Sequence, residues 1–234
     1  MSAYGGSAVG GKKTIIISLG GSLIVPEQID INFLKKFKKV ILSYIKKYNF
    51  VIFAGGGKIA REYQQAGKKI NNLNKYEMDW LGIHASRLNA LLLQYVFKGY
   101  ANKDIITVPN KKIKFVKPII IGAGWKPGWS TDFDAIKIAQ VNKIKTVINL
   151  SNIICVYTKE PKKFRDAKKI EKINWPSFRK IVGNKWQPGL NMPFDPIASQ
   201  LAQKAKIQVI IMGHDLNNFQ NFIRNKKFKG TLII

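Results

Sequence analysis

The sequence predicts an α/β domain in which a mainly parallel sheet is covered by helices on both faces. Three observations carry this. Continuous apolar, β-branched runs of strand length recur along the chain, segments with helical periodicity alternate with them, and glycine-rich turns close several of the strands. With 234 residues, 46% hydrophobic and 11% aromatic, the chain is long enough to bury a large core as one unit. No internal repeat or low-complexity linker divides it, so a single domain is expected over residues 12–234. The small residues of "MSAYGGSAVGG", 1–11, are expected to form a flexible leader.

Residues 14–19, "TIIISL", are apolar without alternation and end in Gly20-Gly21-Ser22, the pattern of a strand buried on both faces. From Asp30, a fitting N-cap, the residues Phe33, Leu34, Phe37, Val40, Ile41, Tyr44, Ile45 and Tyr48 recur at spacings of three and four. Lys35, Lys36, Lys38, Lys39, Lys46 and Lys47 fall between them and form the solvated face of the expected helix. A second strand, 50–54, runs into Gly55-Gly56-Gly57, and a helix opens near Lys58. A longer helix is expected over 76–97. Strands follow at 105–108, 118–121, 146–150 and 207–212, with helices at 132–141, 196–205 and 215–224.

The formal net charge is +27, from 40 basic and 13 acidic residues. The excess is lysine spread along the whole chain, and no basic helix, aromatic ribbon or Cys/His finger concentrates it, so no dedicated nucleic-acid partner is expected. No run reaches the roughly 18 apolar residues of a membrane span. Cys155 is the single cysteine, which excludes an internal disulfide framework, and its apolar context favours an inert thiol; a soluble, cytoplasmic protein is expected. His84 and His214 stand too far apart to suggest a metal site.

In a parallel sheet, ligands bind beyond the carboxyl ends of the strands. The glycine turns fall there: 20–22 after the first strand, 55–57 after the second, and "GAGWKPGWSTD", 122–132, after the strand near Ile121. Bare N–H groups at helix N-termini cradle phosphate oxygens, and Lys58 and Arg61 would add charge-assisted contacts. The spacing fits neither the G-x-x-x-x-G-K-[ST] nor the G-x-G-x-x-G fingerprint, which leaves another phosphate-binding α/β family. From the residues alone, Tyr157 also reads as strand-end packing, Asp132 as a helix N-cap and Asp79 as a solvated helix residue.

The ordered set "SLGGS", "GGGKIAREY", "MDWLGIHASRLNALLL", "GAGWKPGWSTD", "LSNIICVYTKEPKK" and "PFDPIASQLAQK" resembles the amino-acid kinase fold, and within it the UMP kinases of the archaeal type. The resemblance runs from residue 13 over nearly the whole chain. It implies a three-layer sandwich, ATP with Mg²⁺, UMP as acceptor, and a homohexamer built from dimers. It implies that Gly21, Ser22, Gly57, Arg61, Ser151, Asn152, Tyr157 and Glu160 face ATP. On the UMP side it implies Gly56, Asp79 at the ribose hydroxyls, and the loop Trp125, Lys126, Pro127, Gly128, Trp129, Ser130 and Thr131 around the uridine. Arg61 would neutralise phosphate and Asp195 would organise the catalytic centre. The chain departs from the family at Ser18, where many relatives carry Lys, and in "NIICVYT", where Ile154 and Cys155 replace an acid and a glycine. Three alternatives stay open: another phosphotransferase of the superfamily, a nucleotide-binding or storage protein of weakened activity, and a basic nucleic-acid binder.

Overall fold

The computed structural model describes residues 8, 9, 11–161, 163–184 and 192–234. Most of the expected leader, residues 1–7 and 10, lies outside the described residues. Within it, β1 (Ala8–Val9) pairs antiparallel with the start of β2 (Lys12–Leu19), Ala8 opposite Lys13.

β2 is the centre of the sheet. On one side it pairs in parallel with β3 (Tyr48–Ala54), which pairs in parallel with β4 (Ile119–Gly122). On the other it pairs in parallel with β5 (Thr146–Leu150), and β5 with β9 (Gln208–Met212). An antiparallel β10 (Thr231–Ile233) and a short β8 (Lys172–Ile173) complete the edge. A two-stranded hairpin, β6 (Val156–Tyr157) with β7 (Lys169–Ile170), stands apart from the main sheet. The chain leaves β2 toward β3 but later returns to β2's other side as β5, so the strand order reverses there, the position where open α/β sheets bind ligands.

Side chains alternate across a strand, and the two faces of the sheet make two cores. Ile17, Leu19, Phe50 and Ile52 pack with Phe37 and Ile41 of α2 (Ile31–Tyr44), Leu93 of α4 (Lys75–Val96) and Phe219 of α8 (Leu216–Ile223). Ile16, Val51, Val147 and Val209 pack with Ile136 of α5 (Thr131–Val141), Phe178 of α6 (Trp175–Val182) and Ala198 of α7 (Pro196–Ala205). Helices thus cover both faces, as the periodicity predicts. Asp30 caps α2 as expected, its carboxylate accepting the Phe33 N–H at 2.8 Å.

The expected strand at 105–108 does not form. Only Ile106 bridges to Gly122, because the chain bends at Thr107 and turns at 109–110, which stops the pairing after one residue.

Candidate active site

The expected glycine turns meet at the carboxyl edge of the sheet. The loop after β2 continues into a single turn, α1 (Gly21–Ile24), and the loop after β3 opens α3 (Gly57–Asn71). These two loops touch backbone to backbone. The Gly55 N–H donates to the Leu19 carbonyl and the Lys58 N–H to the Val25 carbonyl. A Cβ on Gly21 would lie 2.0 Å from the Gly57 nitrogen, and one on Gly55 would lie 2.4 Å from the Gly21 nitrogen. Gly57 also sits at φ +69°, a conformation that side chains disfavour. The bare main chain therefore serves first to let two loops pack against each other. Gly56 differs: its φ of −75° is helical and open to any residue, but a Cβ there would stand 2.6 Å from the Ala60 Cβ. Asn89, buried on the inner face of α4, ties the run down by donating to the Gly55 and Gly56 carbonyls at 2.8 and 3.1 Å.

Beside these loops lies a cleft of about 440 Å³. Of the residues expected toward ATP, Gly21, Ser22, Gly57, Arg61 and Asn152 line it; of those expected toward UMP, Gly56, Asp79, Trp129, Ser130 and Thr131 do. Ser151 stands one residue before Asn152, its hydroxyl accepting the Ile153 N–H. Tyr157 lies in the outer hairpin, where the neighbouring Cys155 and partial burial hold its hydroxyl above the usual range. Glu160 follows it as an exposed residue whose carbonyl accepts from Lys163 and Phe164. Lys58 is engaged elsewhere than expected: its ammonium pairs with Glu27 and, at 3.7 Å, with Glu62, while Arg61 lines the cleft.

The segment between β4 and α5 forms a wall of the cleft and is held by side chains from two helices. From α4, Ser86 accepts the Gly124 N–H at 2.8 Å, Arg87 donates to the Gly124 and Trp125 carbonyls, and the Asp79 carboxylate accepts the Gly128 N–H at 2.7 Å. Gly128 supplies the φ of +86° that the turn requires. Trp125 and Trp129 stack at 6.3 Å, and the Lys126 ammonium stands 4.5 Å over the Trp125 ring, where the ring face attracts it. Pro127 lies between them as part of the same turn.

Behind the wall three carboxyls converge. Alternation places Ser18 and Asn149, paired across β2 and β5, on the face that α5 covers. The Ser18 hydroxyl donates to Asp132 at 2.6 Å and the Asn149 amide at 2.9 Å. Asp132 is not the helix cap; Ser130 is, accepting the Phe133 N–H at 3.2 Å. Burial of the Asp132 carboxyl raises it above its ordinary pKa, against the hydrogen bonds from Ser18 and Asn149. Asp195 caps α7 through the Ala198 N–H, and burial first, with Asp132 nearby, pushes it up to about 6. Asp134 is raised well above its ordinary value by burial, with repulsion from Asp195 and Asp132 adding to it and Arg87 opposing. Among the described residues no ion pair reaches any of the three. Ile154 is half exposed and rests against Gly213 at the end of β9.

Asn89 and Ser86 were hidden within the periodic apolar pattern of α4, although polar residues on its inward stripe are a usable signal. Gln64 and Gly82, which also line the cleft, carried no local signal at all.

Among the described residues, no group of three or more His, Cys, Asp or Glu side chains is arranged to hold a metal ion.

A mainly parallel sheet whose strand order reverses beside a cleft walled by glycine loops and helix N-termini defines a phosphate-binding α/β protein. Comparison with known sequences makes the class specific. The chain belongs to the amino acid kinase family, whose sequence profile matches residues 13–213. It is 32% identical over 225 residues to the uridylate kinase of Thermoplasma volcanium, covering 94% of this chain and 97% of that one. It is 31% identical to the uridylate kinase of Pyrococcus abyssi, with 94% and 98% covered. The crystal structure of uridylate kinase from Archaeoglobus fulgidus superposes with a TM-score of 0.81 at 26% identity, covering 94% of this chain and 99% of that one.

Proposed function

We propose that the chain transfers the γ-phosphoryl group of ATP to UMP, giving ADP and UDP for pyrimidine nucleotide synthesis. The observation that carries this reading is the convergence of the ordered motifs, "SLGGS", "GGGKIAR", "MDW" and "GWST", on one cleft in a chain similar to uridylate kinases over nearly its whole length. The storage alternative is not favoured.

Gly21, Ser22, Gly57 and Asn152 present backbone and side-chain donors to the ATP phosphates, with Ser151, Tyr157 and Glu160 flanking the nucleoside end. Asp79 meets the ribose hydroxyls of UMP, and Gly56, Thr131 and the wall from Trp125 to Ser130 enclose its phosphate and base. Arg61 stands where the two phosphate groups approach and offsets their mutual repulsion. A UMP phosphate oxygen attacks the γ-phosphorus as the bond to the ADP bridging oxygen breaks, so no covalent enzyme intermediate is needed. What the protein supplies is alignment and charge neutralisation. Asp195, at the N-terminus of α7, orients the groups behind the transfer. Mg²⁺ would supply further charge neutralisation when bound.

The active unit is one domain whose sheet takes in β1 of the expected leader, assembled as a homohexamer in the cytoplasm. No helix among the described residues is long and apolar enough to cross a membrane. A coupled assay for ADP release with UMP, CMP, AMP and GMP as acceptors tests the reading: turnover with UMP is expected to exceed that with the other three. Absence of UDP in the presence of Mg²⁺ and ATP overturns it.

A further inference from the structure

Asp134 has no place in the chemistry above. It sits in the first turn of α5, fully buried, and the other buried residues of that helix are all apolar: Phe133, Ala135, Ile136, Ile138 and Ala139. Burying a carboxyl there is costly, and one of its oxygens, Oδ1, is buried without a hydrogen-bond partner. An acid in a first helical turn ordinarily complements the helix terminus. That account does not cover this residue, because Ser130 already caps α5 and the Asp134 Oδ2 accepts from outside the helix, from the Trp125 N–H at 3.1 Å.

The Trp125 peptide is thereby held from both sides. Its N–H is taken by Asp134 of α5, while its carbonyl accepts Arg87 of α4 at 3.2 Å. The wall of the cleft hangs from this point, since Trp125 stacks on Trp129, and Trp129 lines the cleft.

We propose that Asp134 is a positioning residue for the acceptor nucleotide, holding the Trp125–Trp129 wall in its binding geometry through the Trp125 amide. This rests on the reading of the cleft as the UMP site. The demand on Asp134 is for a buried acceptor rather than for charge. Asp132 and Asp195 face it as carboxyls and Arg87 is the opposing cation, so a neutral acid satisfies the contact at lower cost than an anion. An amide oxygen therefore serves in its place, and an apolar side chain does not.

The experiment compares Asp134→Asn and Asp134→Val with the wild type in three measurements. These are amide hydrogen exchange of the ligand-free protein over residues 123–130, melting temperature, and the separate kcat and KM for UMP. Asp134→Val is expected to keep its melting temperature, because it removes a poorly satisfied buried polar group, while exchange in the wall and KM for UMP both rise about tenfold with kcat little changed. Asp134→Asn is expected to match the wild type in all three. A Val variant with unchanged wall exchange, or with a lowered melting temperature and unchanged KM, overturns the proposal. If the Val variant does not fold, the Asn variant decides: an Asn variant whose KM rises as much as tenfold also overturns it. The exchange measurement uses no substrate, so a wild type inactive on UMP would remove the functional reading while the tether itself was still being tested.

Discussion

Asp79 is 8% exposed, lines the cleft, and accepts the Gly128 N–H at 2.7 Å. It therefore ties α4 to the wall as well as lining the cleft. Asp79→Asn keeps an acceptor for Gly128 and removes the charge, so the wall should stay in place while the ribose loses its stronger partner. UMP affinity is expected to fall about ten- to a hundredfold and ATP affinity to change little, measured by calorimetry with each nucleotide. Equal weakening of both would remove Asp79 from the UMP side. Asp195 offers a second test through pH. Its carboxyl is raised from 3.8 to about 6, so the native state keeps a proton that the unfolded chain has already lost. The stability this contributes is complete below about pH 4 and is lost as pH rises to about 6, a change of about 3 kcal/mol at most. Asp132 and Asp134 are shifted in the same direction and add to the fall. Asp195→Asn stays neutral and retains an acceptor for the Ala198 N–H. Its urea-unfolding free energy should decline less than that of the wild type between pH 4 and 6, and an identical slope would contradict the assignment.

The junction of β3 with α3 shows how one short motif meets two demands. Gly55 and Gly57 are required by the approach of the loop after β2, and Gly56 by Ala60 and by the Gly82 carbonyl of α4, 3.2 Å from where its Cβ would stand. Gly56→Val therefore overpacks the contact between α3 and α4. It is expected to lower stability by about 1–3 kcal/mol and to weaken nucleotide binding with it. Arg61→Ala, one helical turn further on, removes only a side chain that lines the cleft. It should leave the melting temperature nearly unchanged, weaken UMP and ATP, and spare uridine. Melting curves and ligand affinities on the two variants check this pair, and an Arg61→Ala protein with full UMP affinity would take Arg61 out of the phosphate site.

The proposed assembly would draw on surfaces that the single chain leaves open. The outer side of α4 exposes Leu88 at 58% and Tyr95 at 65%, while each chain carries a net charge of +27. Apolar contact favours association and like charge opposes it, so the proposed hexamer should strengthen as salt screens the charge. Light scattering is expected to give a mass of six 26.5 kDa chains at about 0.3 M salt and smaller species at about 0.01 M. A single chain at every salt concentration would exclude the assembly.

Much of this architecture was legible in local pattern. Apolar runs, helical spacing, the Asp30 cap and the glycine turns depend on residues close in the chain, and they predicted the parallel core strands, the helices on both faces and the edge where the cleft lies. The helix at Trp175–Val182 was legible too, through Asn174 as cap and Pro176 behind it, but was not expected. Short strands such as Thr231–Ile233 are too brief to carry a period. The carboxyl cluster belongs to tertiary structure alone. Ser18, Asp132, Asn149 and Asp195 meet only because β5 pairs with β2 on the side opposite β3 while α5 crosses behind them. The same holds for Asp134, whose sequence reads as an ordinary acid in a first helical turn. A buried carboxyl acquires its proton affinity and its partner from the groups that surround it in space, and spacing along the chain does not record which groups those are.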